Sequence, residues 1–326
     1  MHSSALSLDI RRIITDSDLD GVVTAAILKR HWPHAEVIFG HPGELRAGVL
    51  DGLIDNFTAI CDLPRHSKCG LNIDHHQSNK PRDNLNFDGI VIWENSPSAA
   101  RIAYDLLHEA VDLEDLTELL LWVDKIDSGQ ITKDEYLSEE PVLLLGKIIG
   151  IDLDINLHIL TAVKNGESVE SILSKEELVP YLIEIQDNKI RIKDIIEKTM
   201  EIVNRLAIVR FEGSGVRSNG YHVTAKAGGD CDACIIIHGD IGGTFTEEGG
   251  YPVSASFYTN SFLHNEGGIY DLTQMAKRFD PDGGGHSNAC GCRIKPIKNG
   301  IIENRDLNVS DIEKNIYEWI SMWNDK

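Results

Sequence analysis

Two adjacent histidines follow an aspartate in the stretch Asn72-Ile73-Asp74-His75-His76. The apolar residues before this aspartate predict a short buried strand, and open α/β sheets bind their ligands beside the carboxyl ends of such strands. Successive side chains of a strand point to opposite faces, so at most one of the two imidazoles can bind a given metal ion directly. The other could contact a substrate or support a metal ligand. A polar turn that contains two histidines by chance is the alternative.

Three aspartates at alternate positions, Asp16, Asp18 and Asp20, occupy the turn between a predicted strand at 11–15 and a predicted amphipathic helix at 22–32. Carboxylates this close repel one another strongly unless cations lie between them. One aspartate could cap the helix, but three exceed that need. An EF-hand loop does not fit, because its twelfth position requires glutamate and this chain has Ile27 there. The three acids therefore predict a metal site.

Further acids follow other predicted elements of the same region. Asp62 follows a strand at 57–61, and Asp124 follows an apolar helix at 116–123. Strand and helix patterns alternate here, which predicts a parallel sheet whose carboxyl ends lie side by side. We therefore expect the acids that follow the strands, Asp62 and the group Asp16, Asp18 and Asp20, to converge with the histidines. Asp124 also needs a partner, since an unpaired buried charge is costly; a metal would serve, and Lys125 is a weaker candidate.

Beyond residue 152 the character of the chain changes twice. Residues 153–206 read as helical, whereas the chain from 207 onward is glycine-rich and strand-like. Strands are predicted at 208–211, 221–227, 234–238 and 251–258. We therefore expect a catalytic domain over 1–175, a connecting helix over 176–206 and a smaller mixed α/β domain over 207–326.

Two sites for anions can be suggested from local sequence. Gly283-Gly284-Gly285-His286 precedes a predicted strand at 289–294. Consecutive glycines let backbone amides approach an anion closely, and His286 could donate to the same phosphate; a flexible turn is the alternative. The helix that starts after Ser96-Pro97-Ser98 could also receive a phosphate at its free amides, although a plain helix cap is the simpler explanation.

The whole chain has 326 residues, six cysteines and a formal charge of −21. This length suggests about two domains. Six cysteines do not make a disulfide framework in so long a chain, which favours the cytoplasm; the pairs Cys231/Cys234 and Cys290/Cys292 could hold zinc or fill a core. The negative charge argues against a broad basic face for long nucleic acid. No apolar run reaches 18 residues, so no membrane span is expected.

The motifs together resemble those of the DHH phosphoesterase superfamily, in the branch with the DHH-associated C-terminal domain. Its members include the RecJ exonucleases, small oligoribonucleases and cyclic-dinucleotide phosphodiesterases. The motifs occur in the family's order: Asp16-x-Asp18-x-Asp20-Gly21, Asp62, Asp74-His75-His76 and Gly283-Gly284-Gly285-His286-x-x-Ala289-x-Gly291. The first motif contains only acids, as in RecJ, whereas many small oligoribonucleases begin it with histidine. Manganese-dependent pyrophosphatases lack the glycine loop, which disfavours that activity.

The resemblance implies an α/β fold with a parallel-sheet N-terminal domain, a helical connector, a mixed C-terminal domain and an active site in the cleft between domains. It implies two Mn²⁺ ions, or Mg²⁺, which also suit hard carboxylates with imidazole. The implied ligands are Asp16, Asp18, Asp20, Asp62, His75 and a fourth acid. For this acid we prefer Asp124 over Asp127, because Asp124 directly follows the apolar helix.

Roles for the remaining residues follow from the same resemblance. Asp62 would bridge the two ions, and His76 would stabilise the substrate phosphate or donate a proton to the leaving oxygen. The loop Gly283, Gly284, Gly285 and His286, together with Arg293, would hold a phosphate or nucleotide.

The implied reaction is hydrolysis of phosphodiester or phosphomonoester bonds by metal-activated water. Short oligonucleotides, adenosine bisphosphate and cyclic or linear dinucleotides are the expected substrates, without long nucleic acid or membrane partners; a homodimer stays open. A polyphosphate hydrolase and a non-catalytic nucleotide sensor are the alternatives. The complete set of acids argues against the sensor. The sequence shows no clear aromatic platform for bases, so it does not decide between a nucleotide phosphoesterase and a polyphosphate hydrolase.

Overall fold

The computed structural model describes residues 3–81, 87–138, 140–244, 251–264 and 267–326. The chain divides into two compact units. The first comprises Met1–Gln130 and Leu137–Ile183, and the second comprises Ile131–Tyr136 and Glu184–Lys326. Among the described residues, none of the helices combines the length and apolar character needed to cross a bilayer.

The first unit is built on a five-stranded, wholly parallel sheet in the order β2-β1-β3-β4-β5. Its strands are β1 Arg12–Thr15, β2 Glu36–Phe39, β3 Thr58–Cys61, β4 Leu71–Asp74 and β5 Ile90–Trp93. The helices up to the second unit's sheet are α1 Ser3–Leu6, α2 Leu19–His31, α3 Pro42–Arg46, α4 Ala99–Leu107, α5 Thr117–Asp127, α6 Lys133–Leu137, α7 Pro141–Ile148, α8 Leu153–Lys164, α9 Val169–Leu173 and α10 Val179–Thr199. The predicted parallel sheet is confirmed.

Strands β3 and β4 lie inside the sheet, and all of their residues are buried. This is expected when both faces of a parallel sheet are covered. Helix α2 is buried over its first ten residues rather than amphipathic as predicted, because it packs against α4, α5 and α8. Strand β5 was not predicted. Its run Ile90–Trp93 is short and apolar without alternation, which carries little signal.

The second unit contains a mixed six-stranded sheet in the order β10-β11-β9-β8-β7-β6. Its strands are β6 Glu201–Val203, β7 Leu206–Arg210, β8 Ala233–His238, β9 Ser254–Thr259, β10 Gly284–His286 and β11 Ala289–Arg293, followed by the separate hairpin β12 Ile297–Lys298 and β13 Ile301–Ile302. Its helices are α11 Gly220–Ala227, α12 Thr273–Lys277 and α13 Val309–Asn324. Residues of α12 and α13 form one apolar core with the sheet, and residues of α10 and α11 form another.

Two elements differ from the sequence expectation. Residues 221–227 form helix α11 rather than a strand, because the Asn219 side chain accepts a hydrogen bond from Tyr221 N and caps the helix. The connector expected at 176–206 is helical only as far as Thr199, after which β6 joins the sheet edge.

The segment 131–136 crosses to the second unit although the chain on both sides of it belongs to the first. Its last residue, Tyr136, is only 7% exposed. The Tyr136 ring stacks on Tyr221 at 5.0 Å and lies 6.1 Å from Phe262, centroid to centroid. This aromatic contact fastens the segment to the second unit.

Candidate metal centre

The carboxyl ends of β1, β3 and β4 are adjacent in the sheet, since Thr15 pairs with Cys61 and Cys61 pairs with Ile73. The acids and imidazoles that follow these strands therefore meet at one edge. Two groups of side chains each bring their donor atoms within 4.8 Å of one another: Asp62 with His75 and His76, and Asp20 with His75 and Asp127. Asp20, Asp62, His75 and His76 therefore lie together as the strand ends predict; Asp127 joins them and Asp124 does not.

His75 is the residue that both groups share. Its Nδ1 lies 3.1 Å from the carbonyl oxygen of Ser96, which can only accept, so Nδ1 carries a proton. Its Nε2 faces three carboxylates, at 3.6 Å from Asp20, 3.5 Å from Asp62 and 3.1 Å from Asp127. Burial lowers the pKa of His75, but Asp127 and Asp20 outweigh it and raise this pKa to about 9. Nε2 is thus oriented towards the acids as a metal ligand would be.

His76 is positioned by Asp74, the buried last residue of β4. Asp74 Oδ1 lies 2.9 Å from His76 Nδ1 and accepts a hydrogen bond from His76 N. The other oxygen, Oδ2, accepts from Asn79 Nδ2 at 2.7 Å. Asp74 therefore orients His76. Burial opposes the charge on His76, but the hydrogen bond with Asp74 raises its pKa above the usual value.

Asp20 is held by the first amides of α4. Ala99 N and Ala100 N each donate to its carboxylate at 2.7 Å, and Asp20 is only 2% exposed. Burial, followed by the charges of Asp127 and Asp18, raises its pKa to about 8. The amides considered from sequence as a phosphate site thus bind a carboxylate of the protein itself.

Asp16 and Asp18 border the centre without joining either donor group. Asp18 is the N-cap of α2 and accepts from Gly21 N at 2.9 Å, while Asp16 accepts from Ser17 N at 2.7 Å. A Cβ on Gly21 would lie 2.2 Å from Asp16 O, so only glycine fits there. Burial and the charge of Asp18 raise the pKa of Asp16 to about 7, and both His76 and Asp127 lie within its electrostatic reach.

Asp62 has a backbone conformation that residues other than glycine rarely adopt. Its φ is +56°, in the left-handed region that costs about 1–2 kcal/mol for most residues. Asp62 N donates to Ile73 O at 2.9 Å, which fixes the turn. Its Oδ1 is buried and accepts no hydrogen bond from any residue that the structure describes. Burial and the surrounding aspartates, Asp20 first, raise its pKa well above the usual value.

The structure places Asp127, and not the preferred Asp124, beside His75. Asp124 accepts from Ser98 Oγ at 2.7 Å and from Arg101 Nε at 2.9 Å, so its carboxylate is already neutralised. Helix α5 continues for one turn past the predicted end and places Asp127 beside His75 instead. Asp127 Oδ2 is buried and lacks a well-aligned hydrogen bond among the described parts of the chain.

The centre has the features of a site for hard divalent cations. Carboxylates with one or two imidazoles suit Mn²⁺ and Mg²⁺. Burial and the charges of neighbouring acids raise the pKa values of Asp16, Asp20 and Asp62, and a bound cation would offset this repulsion. Asp62 and Asp127 each keep a buried oxygen without a well-aligned hydrogen bond among the described residues, and these oxygens could contact the cation. Within the described residues, no cysteine belongs to a donor group, so the cysteine pairs gain no support as zinc sites.

The glycine loop lies in the second unit and forms strand β10 rather than a flexible turn. A Cβ on Gly283 would lie 2.4 Å from Ala276 O, and Gly285 has a φ of +132°, so the backbone itself requires both glycines. At Gly284 a Cβ would meet only Lys277 Cε, at 3.9 Å. Gly284 is therefore the position where the absence of a side chain leaves open surface.

Arg293 is less available for a phosphate than the sequence suggested. Its Nη2 lies 3.0 Å from Asp282, and its Nε lies 3.5 Å from Asp280. The backbone N of Arg293 also donates to Asp280 at 2.8 Å. These contacts give Arg293 a structural role beside the glycine loop.

Comparison with known proteins gives the fold of the chain. No family model and no curated protein sequence matches it. The solved structure of PggH, a pGpG-specific phosphodiesterase from Vibrio cholerae, matches 96% of this chain and 99% of its own, with 22% identity and a TM-score of 0.67. RecJ from Thermus thermophilus, solved in complex with Mn²⁺, matches 98% of this chain and 54% of its own, with 14% identity and a TM-score of 0.50. The chain therefore shares its fold with these two solved structures.

The stability of the metal-free protein should depend on pH. Asp16, Asp20 and His75 have pKa values raised to about 7, 8 and 9, so the folded state binds more protons than the unfolded state above about pH 4. Stability therefore falls as pH rises. We expect the Tm in chelator to drop from about pH 5 to about pH 8, and Mn²⁺ to reduce this drop. Thermal scans over this pH range, with Mn²⁺ and with chelator, measure the change in Tm. A Tm in chelator that stays constant or rises with pH would contradict the expectation.

Whether Asp127 or Asp124 binds the metal can be tested by metal titration. Asp127→Asn should weaken Mn²⁺ binding more than Asp124→Asn, because only Asp127 faces His75. Asp124→Asn should mainly lower the Tm, because it breaks the ion pair with Arg101. An indirect effect of Asp124 on metal affinity should stay within roughly 10–100-fold. A larger loss of affinity in Asp124→Asn than in Asp127→Asn would restore the sequence-based choice.

Proposed function

We propose that this protein hydrolyses phosphoester bonds of short oligonucleotides or small nucleotides with the help of two divalent cations, Mn²⁺ in the first place. The observation that carries this proposal is the position of Asp62. Its Oδ1 lies 3.5 Å from His76 Nδ1 and 3.5 Å from His75 Nε2, and His75 is the residue that both donor groups share, so Asp62 adjoins the second group through His75. A carboxylate placed in this way suits a bridging role between two ions.

The residues that would hold the cations are Asp20, Asp62, His75 and Asp127, with Asp16 and Asp18 at the border. Bound there, the cations would lower the pKa of a water molecule and neutralise charge on the phosphate. Asp20 keeps its position because the α4 amides bind it. His75 keeps its orientation because Ser96 O binds Nδ1.

His76 is assigned to the substrate phosphate. Asp74 binds its Nδ1 and raises its pKa, which favours the protonated form of the imidazole. An imidazolium can stabilise a phosphate and can donate a proton to the leaving oxygen, as a general acid does. The buried acid next to it thus supports the same role that the family resemblance implies.

The class of substrate is inferred from the net charge of the chain and from its structural similarity to PggH. A net charge of −21 disfavours long nucleic acid, whose binding requires many cations. PggH, which has the same fold over its full length, is named for its action on pGpG. This likeness supports a linear dinucleotide with a 5′-phosphate as the first substrate to test. Adenosine bisphosphate, a cyclic dinucleotide and polyphosphate complete the panel.

The proposal is tested by turnover with Mn²⁺ and with chelator. Wild-type protein should release product from at least one nucleotide, and chelator should abolish this release. Asp62→Asn should fold normally, since asparagine tolerates a positive φ. Its turnover should fall by more than the ~10–100-fold that loss of an outer partner costs. Asp105→Asn, an exposed position on α4, is the matched control and should stay active. Undiminished turnover in Asp62→Asn or in chelator would refute the proposal.

Gly284 tests whether the glycine loop receives a phosphate. Gly284→Ala should leave the Tm and Mn²⁺ binding unchanged, because the added Cβ meets only a flexible lysine side chain. It should lower kcat/KM on nucleotides by roughly 10–100-fold if it removes a charge-assisted hydrogen bond. Gly283→Ala should lower the Tm, because its Cβ would clash with Ala276 O. A Gly284→Ala protein with full kcat/KM would remove the loop from the substrate site.

A further inference from the structure

Trp93 is fixed directly beside the Asp-His-His motif. It ends the edge strand β5, and its Nε1 donates to the backbone oxygen of His76 at 2.9 Å. The indole is half-buried, so part of it stays accessible. One hydrogen bond thus sets the place of a large flat ring relative to a histidine assigned to the substrate.

Lys80 lies over the same ring. Its Nζ is 4.9 Å from the centroid of Trp93, and its side chain is exposed. Lys80 forms no ion pair with any carboxylate that the structure describes, in a chain that carries an excess of acids. The turn before it is anchored, since Asn79 Nδ2 donates to Asp74 at 2.7 Å. A cation and an aromatic ring are therefore both tied to the motif within the first unit.

We propose that Trp93 and Lys80 form a nucleotide-recognition subsite next to His76. In this subsite, which rests on the function proposed above, the indole stacks on a nucleobase of the substrate and the ammonium group binds a phosphate of the same nucleotide. The subsite selects phosphoesters that carry a base. Polyphosphate, which has nothing to stack, gains only the charge of Lys80.

The present contact between Lys80 and Trp93 does not block this use of the ring. A cation over an exposed ring is held weakly, whereas a base stacked on an aromatic side chain is held more strongly. A base can therefore displace the ammonium group, which is then free to meet a phosphate. Lysine suits this task because its ammonium group is a compact charge on a flexible stem.

A purely structural role of Trp93 makes a different prediction. The hydrogen bond to His76 O could serve only to position His76, and its loss would then slow every substrate equally. Stacking acts only on substrates with bases. The two roles separate when pGpG is compared with an abasic analogue that has the same phosphates and sugars but hydrogen in place of both bases.

The experiment uses full-length protein with Mn²⁺ and two variants of Trp93. Trp93→Leu should raise KM for pGpG by roughly 10–100-fold and leave KM for the abasic analogue nearly unchanged. Trp93→Phe keeps a ring but not the N–H group, so it should retain most of the preference for pGpG. Its kcat should fall by a similar factor on both substrates. Equal losses on both substrates in Trp93→Leu, without a change in preference, would overturn the inference.

The proposed contact between Lys80 and a phosphate is tested by comparing pGpG, which has a 5′-terminal phosphate, with GpG, which lacks it. Lys80→Gln should raise KM for pGpG by roughly tenfold, the cost of one charge-assisted contact, and should leave KM for GpG nearly unchanged. Lys68→Gln is the control, because Lys68 is also exposed but precedes β4, whereas Lys80 follows it. This variant should leave KM for both pGpG and GpG unchanged. Equal effects of Lys80→Gln on pGpG and GpG would exclude the phosphate contact.

Failure of the subsite and failure of the proposed function are distinguishable. Quenching of tryptophan fluorescence by pGpG in Ca²⁺ measures binding without requiring turnover. Quenching in wild type that is lost in Trp93→Leu supports the subsite even if no nucleotide is hydrolysed. Turnover of pGpG with equal affinity for the abasic analogue overturns the subsite and leaves the proposed function intact.

Discussion

Repulsion between buried carboxylates is the constraint on which the first unit depends. Asp20 and Asp62 are each 2% exposed and lie within 3.6 Å of the same nitrogen of His75. Such a cluster does not form unless other groups hold it, because each buried charge is costly without partners. The fold supplies backbone donors for this purpose. The amides of α4 bind Asp20, and the turn after β3 fixes Asp62 in a left-handed conformation.

The arrangement divides the acids of the region into two kinds. Asp74 and Asp124 are satisfied by the protein itself: Asp74 through His76 and Asn79, and Asp124 through Ser98 and Arg101. Asp62 and Asp127 each keep a buried oxygen without a well-aligned donor among the described residues. Asp74 and Asp124 position their neighbours, whereas Asp62 and Asp127 each have an oxygen available to a cation. This distinction, more than the number of acids, locates the centre.

Sequence reasoning found the parts of the site that depend on strand ends. Asp16, Asp62 and Asp74 follow apolar strands, and strand ends of a parallel sheet meet by geometry. It did not place Asp127 beside His75, because α5 continues one turn further than the apolar run predicts. It also missed Trp93, because β5 is a short apolar run and its bond to His76 joins residues far apart in the chain. The helix at 221–227 was mistaken for a strand because the cap at Asn219 outweighs the local propensity.

The placement of Tyr136 has a consequence for how this chain can be divided. The backbone passes from one compact unit to the other three times, because the segment 131–136 belongs to the second unit. A single cleavage near residue 183 would leave the C-terminal fragment without Tyr136 and would uncover the rings of Tyr221 and Phe262 on which it packs. The two units therefore cannot be exchanged as simple modules joined end to end. A recombination event that keeps both of them folded has to preserve this excursion of the chain.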